Sequence, residues 1–338
     1  MSAPALNVVP PAQDTGDSAN VRRLIRTGIV IDASCDVSAE FLSDPDVAVI
    51  PIPIRIGAAT YVDKHDPDAT SRYMRENGNG EGATGQSMPL DAEQMRAFFI
   101  ERFALDYDSV YCLTITASRS PIHDASSQGS ALALNNIREM RGAADIRRPF
   151  QFRVIDTKNM FAGSGIPAMA LRDMLREHMQ PKDIRDALFR IIDATYTYYV
   201  PDDLGYARTR SRVRGDRSIN LISALLGGAL DIKPIIRGYH GDTSPVLKCR
   251  GRAEAWGKLF AFAAAKVARG LYTPHVIVSY AGPLEDVSGI PEFMRLSTAC
   301  KSHGVALHVL QMSITGMMNI GPGGLTLAFA GAEHTDTP

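Results

Sequence analysis

The sequence predicts an α/β fold built as two α/β domains. Its 338 residues are enough for two domains of ordinary size. Short apolar runs, which are typical of buried strands, alternate with longer stretches whose apolar residues recur at helical spacing. A strand, a polar loop, a helix and a further strand, in that order, are typical of a parallel sheet with right-handed crossovers.

The composition is that of a soluble globular protein, with 45% hydrophobic and 22% charged residues and a formal net charge of −1. This balance gives no reason to expect nucleic acid or an anionic membrane as a partner. The four scattered cysteines lack the spacing of a disulfide framework or a zinc site, which favours a reducing compartment. Residues 1–11 lack the basic start and long apolar stretch that are typical of a signal peptide, and no run approaches the roughly 18 apolar residues of a membrane span. We therefore expect a cytoplasmic protein.

The first domain is predicted over residues 27–160, after a disordered tail at 1–26 that carries no apolar period. A buried strand is expected at 28–32, followed by a helix-capping loop. The run at 47–56 predicts one second strand, which its two prolines place at an edge or bend. Helix and strand then alternate twice, at 92–104, 109–116, 123–140 and 151–156.

The second domain is predicted over residues 161–332. Helices are expected at 163–179 and 182–194, and a polar, basic segment follows them. Two β-rich runs flank the turn YHGD and predict an antiparallel hairpin, at 232–237 and 245–251. The remaining pattern predicts helices and strands at 219–226, 253–268, 276–280, 291–302, 305–311 and 325–330.

Loops rich in Gly, Thr and Ser recur near the ends of predicted strands, at 82–89, 114–120, 155–165 and 319–325. In open α/β sheets ligands bind at the carboxyl ends of strands, where such loops offer N–H and hydroxyl donors to an anion. One such loop alone is explained equally well as a helix cap, but several together indicate a small anionic group. The sequence has no dinucleotide fingerprint, no P-loop and no nucleophile elbow.

Two further patterns have both a functional and a plain explanation. Arginines fall at nearly every second position of one segment, at Arg208, Arg210, Arg212, Arg214 and Arg217. In an extended segment they would form a site for phosphate or an acidic partner. A solvated loop with its own ion pairs explains them equally well. His65 lies among carboxylates in DKHDPD, which suggests a metal, but an exposed polar loop explains this segment better.

Several of these segments, taken in order, resemble motifs of the DegV family from about residue 28 to residue 331. IDASCDVS, ATGQS and ITASRSPIHDAS resemble the family's Asp-Ser, Thr-Ser-Gln-Pro-Ser and Ser-Ser-x-Leu-Ser-Gly-Thr segments. VIDTKNMFAGSG and RGDRSI resemble its second Asp-Ser loop and its Gly-Gly-Arg-Ile segment. The most specific matches are DIKPII, KCRG and GPGG, which resemble Leu-x-Ile-Lys-Pro-Ile, Lys-x-Arg-Gly and the end of His-Thr-Gly-Pro-Gly.

The resemblance implies two α/β domains of the DegV type with a ligand cavity between them that buries a long-chain fatty acid. It implies a binding protein rather than an enzyme, which presents the ligand carboxylate to a DhaK-like fatty acid kinase subunit for acyl-phosphate formation. By motif position, the carboxylate would be held by Thr84, Gly85, Thr116 and Asn319, and Arg217 and Arg250 would contact the kinase. It implies no catalytic residue, no metal and no cofactor, only the bound fatty acid as ligand.

The chain also departs from the family's motifs. Asn319 stands where the family has a histidine, and an asparagine can donate a hydrogen bond but cannot carry charge. Smaller departures occur at Gly85, Ser87, Ala117, Pro121, Ile122 and Asp216. They are compatible with altered ligand or kinase choice, or with loss of kinase coupling. Two other functions stay open: a phosphoryl-transfer enzyme or hydrolase on a related scaffold, and a carrier of another amphipathic acid.

Overall fold

The computed structural model describes residues 25–78, 80–214, 231–335 and 337–338. The strands are β1 Thr27–Asp32, β2 Val47–Ile50, β3 Ile52–Ile56, β4 Ala59–Asp63, β5 Gln86–Ser87, β6 Ser109–Thr114, β7 Gln151–Asp156, β8 Thr195–Val200, β9 Ile232–Tyr239, β10 Asp242–Arg250, β11 Leu271–Tyr280, β12 Ala306–Gln311 and β13 Leu325–Gly331. The helices are α1 Ala39–Leu42, α2 Pro67–Asn77, α3 Ala92–Phe103, α4 Ile122–Ala143, α5 Ala162–Arg176, α6 Pro181–Asp193, α7 Leu204–Arg214, α8 Gly251–Arg269, α9 Glu285–Ser288, α10 Pro291–Ser302 and α11 Ile314–Ile320, with a short 3-10 helix at Glu81–Thr84. The predicted α/β class is confirmed.

The N-terminal strands form a parallel sheet in the order β2-β1-β6-β7. The expectation of one strand over 47–56 was wrong, because the chain breaks at Pro51 and continues as β3 in a different sheet. Pro51 has no N–H to donate to a ladder, so it separates two strands better than it extends one. β3 pairs antiparallel with β4 and β5 in a small three-stranded sheet.

The C-terminal strands form a mixed sheet in the order β10-β9-β8-β13-β11-β12. The predicted hairpin is confirmed, since β9 and β10 pair antiparallel on either side of a turn. β8 is a central strand that the sequence pattern did not reveal. Its residues, TYTYYV, are nearly all buried, although every one except Val200 is Thr or Tyr. Thr and Tyr are good strand residues, but they hide the apolar run that marks a buried strand.

The arginine-rich segment is helical up to Arg214, so this part of it is neither the extended segment nor the solvated loop that the sequence suggested. A helix turns by about 100° per residue, and every second side chain therefore points in a different direction. Arg210 is buried whereas Arg212 is exposed. Arg217 and the helix predicted at 219–226 lie outside the described residues.

Helix α5 packs against strands of both larger sheets and is buried along most of its length. Two glycines allow this close approach. A Cβ on Gly165 would lie 2.1 Å from the Asp36 carbonyl oxygen, and one on Gly163 would lie 1.8 Å from Thr197 Oγ1. Packing therefore explains the glycines of the third loop without an anion. Among the helices described, none is long and apolar enough to span a membrane.

Candidate functional site

The carboxyl ends of β1, β6 and β7 meet at one edge of the parallel sheet. The Ile115 amide donates to the Asp32 carboxylate over 2.6 Å, which ties the loop after β6 to the end of β1. The Thr116 amide donates to the Asn159 carbonyl over 3.0 Å, which ties the same loop to the one after β7. This is the edge at which parallel sheets bind ligands, and it holds the predicted residue Thr116.

Thr116 is buried, with its hydroxyl 3.1 Å from that of Ser118. The β9–β10 turn covers it closely, because a Cβ on Gly241 would lie 2.7 Å from Thr116 Oγ1. Gly241 also has a φ of 81°, a conformation that suits glycine. The N-terminal loop carrying Thr116 and the C-terminal hairpin therefore meet at this hydroxyl.

Thr84 and Gly85 lie at the end of the 3-10 helix, in different surroundings. Thr84 is exposed, and its hydroxyl donates to the Glu81 carbonyl over 3.1 Å. Gly85 is buried, and a Cβ there would lie 2.7 Å from Met318 Sδ and 3.0 Å from Ile56 Cγ1. Any side chain at position 85 would displace these apolar neighbours.

Arg210 connects Gly85 with Asn319. Its guanidinium is buried, with Nη1 donating to the Gly85 carbonyl and Nε donating to Asn319 Oδ1 over 3.0 Å. Asn319 Nδ2 in turn donates to the Thr315 carbonyl over 2.8 Å, which fixes the orientation of the amide. We call Arg210, Gly85 and Asn319 the Arg210 junction. Two predicted carboxylate ligands thus lie together around a cation that the motifs did not indicate.

Two buried tyrosines surround the Arg210 junction. The Tyr206 hydroxyl donates to the Met318 carbonyl over 2.8 Å. Burial raises the pKa of Tyr206 to about 12 and raises that of Tyr73 as well, while the nearby Arg210 charge opposes both shifts. Both phenols are therefore neutral at ordinary pH.

Three carboxylates of the N-terminal part of the chain are fully buried, and we call Asp32, Asp36 and Asp63 the acidic group. Asp36 accepts from the Ser279 hydroxyl over 2.6 Å and from the Ser313 amide over 3.0 Å. Asp63 accepts from the Thr315 amide over 2.7 Å. Burial raises the pKa of each carboxyl, and that of Asp63 reaches about 6.

The acidic group positions α11, because Asp36 and Asp63 hold the backbone of its first residues from the N-terminal part of the chain. That helix carries Met318 and Asn319, so its placement also sets the Arg210 junction. The sequence reasoning missed Asp36 and Asp63, and it named Arg210 only as one of a run of arginines and not as a neighbour of Gly85 and Asn319. The burial of Tyr206, Ala207, Arg210 and Ser211 follows helical spacing, which is the signal that could have revealed Arg210.

His65 lies near the acidic group, and its Nε2 atom is buried without a hydrogen-bond partner. Burial lowers the pKa of His65, and the charges of Asp36 and Asp32 oppose that shift. In the described parts of the chain, no set of three or more His, Cys, Asp or Glu side chains is arranged to hold a metal ion.

Arg250, the predicted kinase contact, is exposed, and its amide donates to the Glu254 carboxylate over 2.7 Å.

One apolar cluster extends from the N-terminal sheets to α11 and adjoins Gly85. Methionines contribute several of its buried side chains, and a flexible thioether adapts to an irregular apolar partner. The members that come from outside the N-terminal sheets and their helices are Met160, Phe161, Ala281, Met312, Ile314, Met317, Met318 and Ile320.

Residues 26–331 match the sequence model of the family described as "Uncharacterised protein, DegV family". The chain belongs to the DegV family. It is 42% identical over 311 residues to a DegV domain-containing protein of Xanthomonas campestris pv. campestris, an alignment that covers 92% of this chain and 99% of the relative. The resemblance first seen in the motifs is thereby confirmed.

Solved structures of DegV proteins share the fold. The Streptococcus pneumoniae Fatty Acid Kinase (Fak) B3 protein, loaded with linoleic acid, superposes with a TM-score of 0.69 at 16% identity, over 91% of this chain and 100% of that one. A fatty-acid-binding DegV family protein from Thermus thermophilus superposes with a TM-score of 0.68 at 19% identity, over the same shares. At these identities the likeness shows the fold alone.

Proposed function

We propose that this protein binds one long-chain fatty acid, with the acyl tail buried in apolar surroundings and the carboxylate held at the ends of the loops described above. The observation that supports it best is the position of Gly85. Its carbonyl meets a buried guanidinium, while its Cα faces Met318 and Ile56. A polar and an apolar surface therefore adjoin at one residue, as an amphipathic acid requires.

The energetics of burial suit such a ligand. A chain of about 16 carbons gains roughly 0.8 kcal/mol per buried CH₂, or about 10 kcal/mol before the cost of association. The carboxylate then needs hydrogen-bond donors, since an unpaired buried charge would offset this gain. In this proposal Thr84, Gly85, Thr116 and Asn319 lie around the head group. Thr84 would exchange its bond to Glu81 for one to the ligand.

Membership of the DegV family and the fatty acids bound by proteins of the same fold support this proposal. Its test is equilibrium binding of palmitate and oleate to delipidated full-length protein. We expect saturable binding of one fatty acid per chain. Failure to bind either acid would contradict the proposal.

We further propose that the protein presents the carboxylate to a fatty acid kinase and supplies no catalytic group itself. The likeness of fold to the Fak B3 protein and the exposure of Arg250 support this step. The division into domains at about residue 160, with the ligand between them, belongs to the same proposal.

Arg250→Ala tests presentation to the kinase, with Arg295→Ala, another exposed arginine, as the control. We expect both variants to bind oleate like the wild type. With a DhaK-like kinase subunit of the same organism, Arg250→Ala should form acyl phosphate about 10-fold more slowly or worse, which corresponds to the loss of one charge-assisted contact. Equal rates for the two variants would contradict the assigned role of Arg250.

A further inference from the structure

Two histidines of the C-terminal sheet lie next to each other on the side that faces α5. His275 is on β11, and His308 is on the edge strand β12, where Ala306 lies opposite His275 in the ladder. Side chains two residues apart in a strand point to the same side of the sheet, so His308 lies diagonally beside His275. His275 Nδ1 and His308 Nε2 are 3.3 Å apart.

A carboxylate of α5 fixes the orientation of the first ring. Asp173 Oδ2 lies 2.7 Å from Nε2, the other ring nitrogen of His275. The carboxylate therefore holds the proton of His275 on Nε2 and leaves a lone pair on Nδ1. Histidines that ligate metal ions are commonly held in this way, because the carboxylate sets the tautomer and raises the basicity of the ligating nitrogen.

The distance between the two facing nitrogens is that of two ligands of one metal ion. With metal–nitrogen bonds of about 2.0–2.1 Å and a tetrahedral angle, two imidazole nitrogens lie about 3.3 Å apart. A hydrogen bond between the rings would use a lone pair of only one nitrogen, and 3.3 Å is long for it. His308 supplies the second lone pair when its proton moves to Nδ1, and its ring is only half-buried, so solvent reaches it.

The ion pairs described beside the two rings contain three carboxylates and two guanidiniums. They join Asp173, Glu40, Asp44, Arg172 and Arg176. Arg172 lies 3.4 Å from Glu40 and 3.8 Å from Asp173, so these carboxylates offset its charge. The network has no excess of positive charge that would repel a further cation.

We propose that His275 Nδ1 and His308 Nε2 together bind one divalent transition-metal ion that prefers imidazole ligands, such as Zn²⁺, with water in the remaining coordination positions. Asp173 positions the first ligand. The ion joins the edge strand β12 to β11 and, through Asp173, to α5. None of the residues proposed around the head group belongs to this site, so the inference does not rest on fatty-acid binding.

Calorimetric titration of metal-free full-length protein with Zn²⁺ tests the site, at about pH 7.5, where a histidine of ordinary pKa is neutral. We expect one Zn²⁺ per chain with micromolar affinity, because two ligands supply about half of the binding free energy of a four-ligand site. His308→Gln should bind Zn²⁺ at least about 10-fold more weakly. Asp173→Asn keeps an acceptor oxygen but loses the charge, and it should bind about 10-fold more weakly, as is typical when a residue that orients a metal ligand is lost.

His303→Gln is the control, because His303 is exposed and lies just before β12, and it should bind Zn²⁺ like the wild type. Wild-type affinity in His308→Gln would mean that Zn²⁺ binds elsewhere as an adventitious ion only, and it would overturn the proposal, as would a wild type that takes up no Zn²⁺. Unchanged affinity in Asp173→Asn would overturn the positioning role of Asp173. If His308→Gln does not fold, the electron paramagnetic resonance spectrum of Cu²⁺ bound to the wild type decides: it should show coupling to two imidazole nitrogens, and a spectrum without that coupling would overturn the site.

Discussion

The acidic group and the Arg210 junction are buried polar regions of opposite charge, and they meet the two ends of the same helix. Asp36 and Asp63 accept backbone N–H groups at the start of α11, and Arg210 bonds to Asn319 near its end. This arrangement also complements the helix dipole. The difference lies in the partners. The carboxylates accept from donors of the protein itself, so they are structural, whereas Arg210 donates to the carbonyl of Gly85, the predicted site residue that also packs against Met318 and Ile56.

The largest expected effect is on stability, at the acidic group. Asp36→Ala would leave the Ser279 hydroxyl and the Ser313 amide without their acceptor in a buried site. We expect the free energy of unfolding to fall by about 3–5 kcal/mol, as for other broken buried networks. Urea denaturation measures this loss. Asp36→Asn, which keeps one acceptor oxygen, should lose much less. If Asp36→Ala were as stable as the wild type, the structural role of the acidic group would be contradicted.

The second expected effect is that Asp63 makes the free energy of unfolding depend on pH. Burial raises its pKa from 3.8 to about 6, so between these values the folded state binds more protons than the unfolded chain. Stability from this group is therefore complete below about pH 4 and is lost as the pH rises through 6. The difference of 6 − 3.8 = 2.2 corresponds to about 3 kcal/mol.

Asp63→Asn removes this titration while still offering an oxygen to the Thr315 amide. The stability of the variant relative to the wild type should rise by about 3 kcal/mol from pH 4 to pH 7. Urea denaturation at several pH values measures it. A relative stability that does not change with pH would show that Asp63 does not titrate in this way.

The smallest effects should be on ligand affinity, at the two threonines. Each Thr→Val change removes a hydroxyl at nearly constant volume. Thr116→Val should weaken oleate binding by about 10-fold, and Thr84→Val by only a few-fold, because the Thr84 hydroxyl is exposed and bonded to Glu81. Titration of delipidated protein measures both. A larger loss for Thr84→Val would reverse this order and place the head group nearer the 3-10 helix.

The sequence predicted those parts of the fold whose signal is local. Strands β1 and β6 contain short apolar runs, and the β9–β10 hairpin has a turn between two β-rich runs. The sequence did not predict elements whose placement depends on contacts with distant parts of the chain. Pro51 divides one apolar run between two sheets, and the Thr and Tyr residues of β8 are buried only because neighbouring strands and helices cover them.

The candidate site was predicted in the same uneven way. Motif resemblance indicated Gly85 and Asn319, which the structure brings together. It gave Arg210 no place beside Gly85 and Asn319, because the run of arginines was explained equally well by an extended segment and by a solvated loop, and neither predicts a buried helical position. Asp36 and Asp63 meet their partners in α11 and its cap across 277 and 252 residues of chain, a pairing that no local pattern reveals.

Native mass spectrometry of the purified full-length protein tests the central claim most directly. Fatty-acid binding predicts a mass above that of the bare chain by one long-chain fatty acid, which is released on denaturation and identified in the extract. A protein that has the mass of the bare chain, and that gains no mass after incubation with oleate or palmitate, would contradict it.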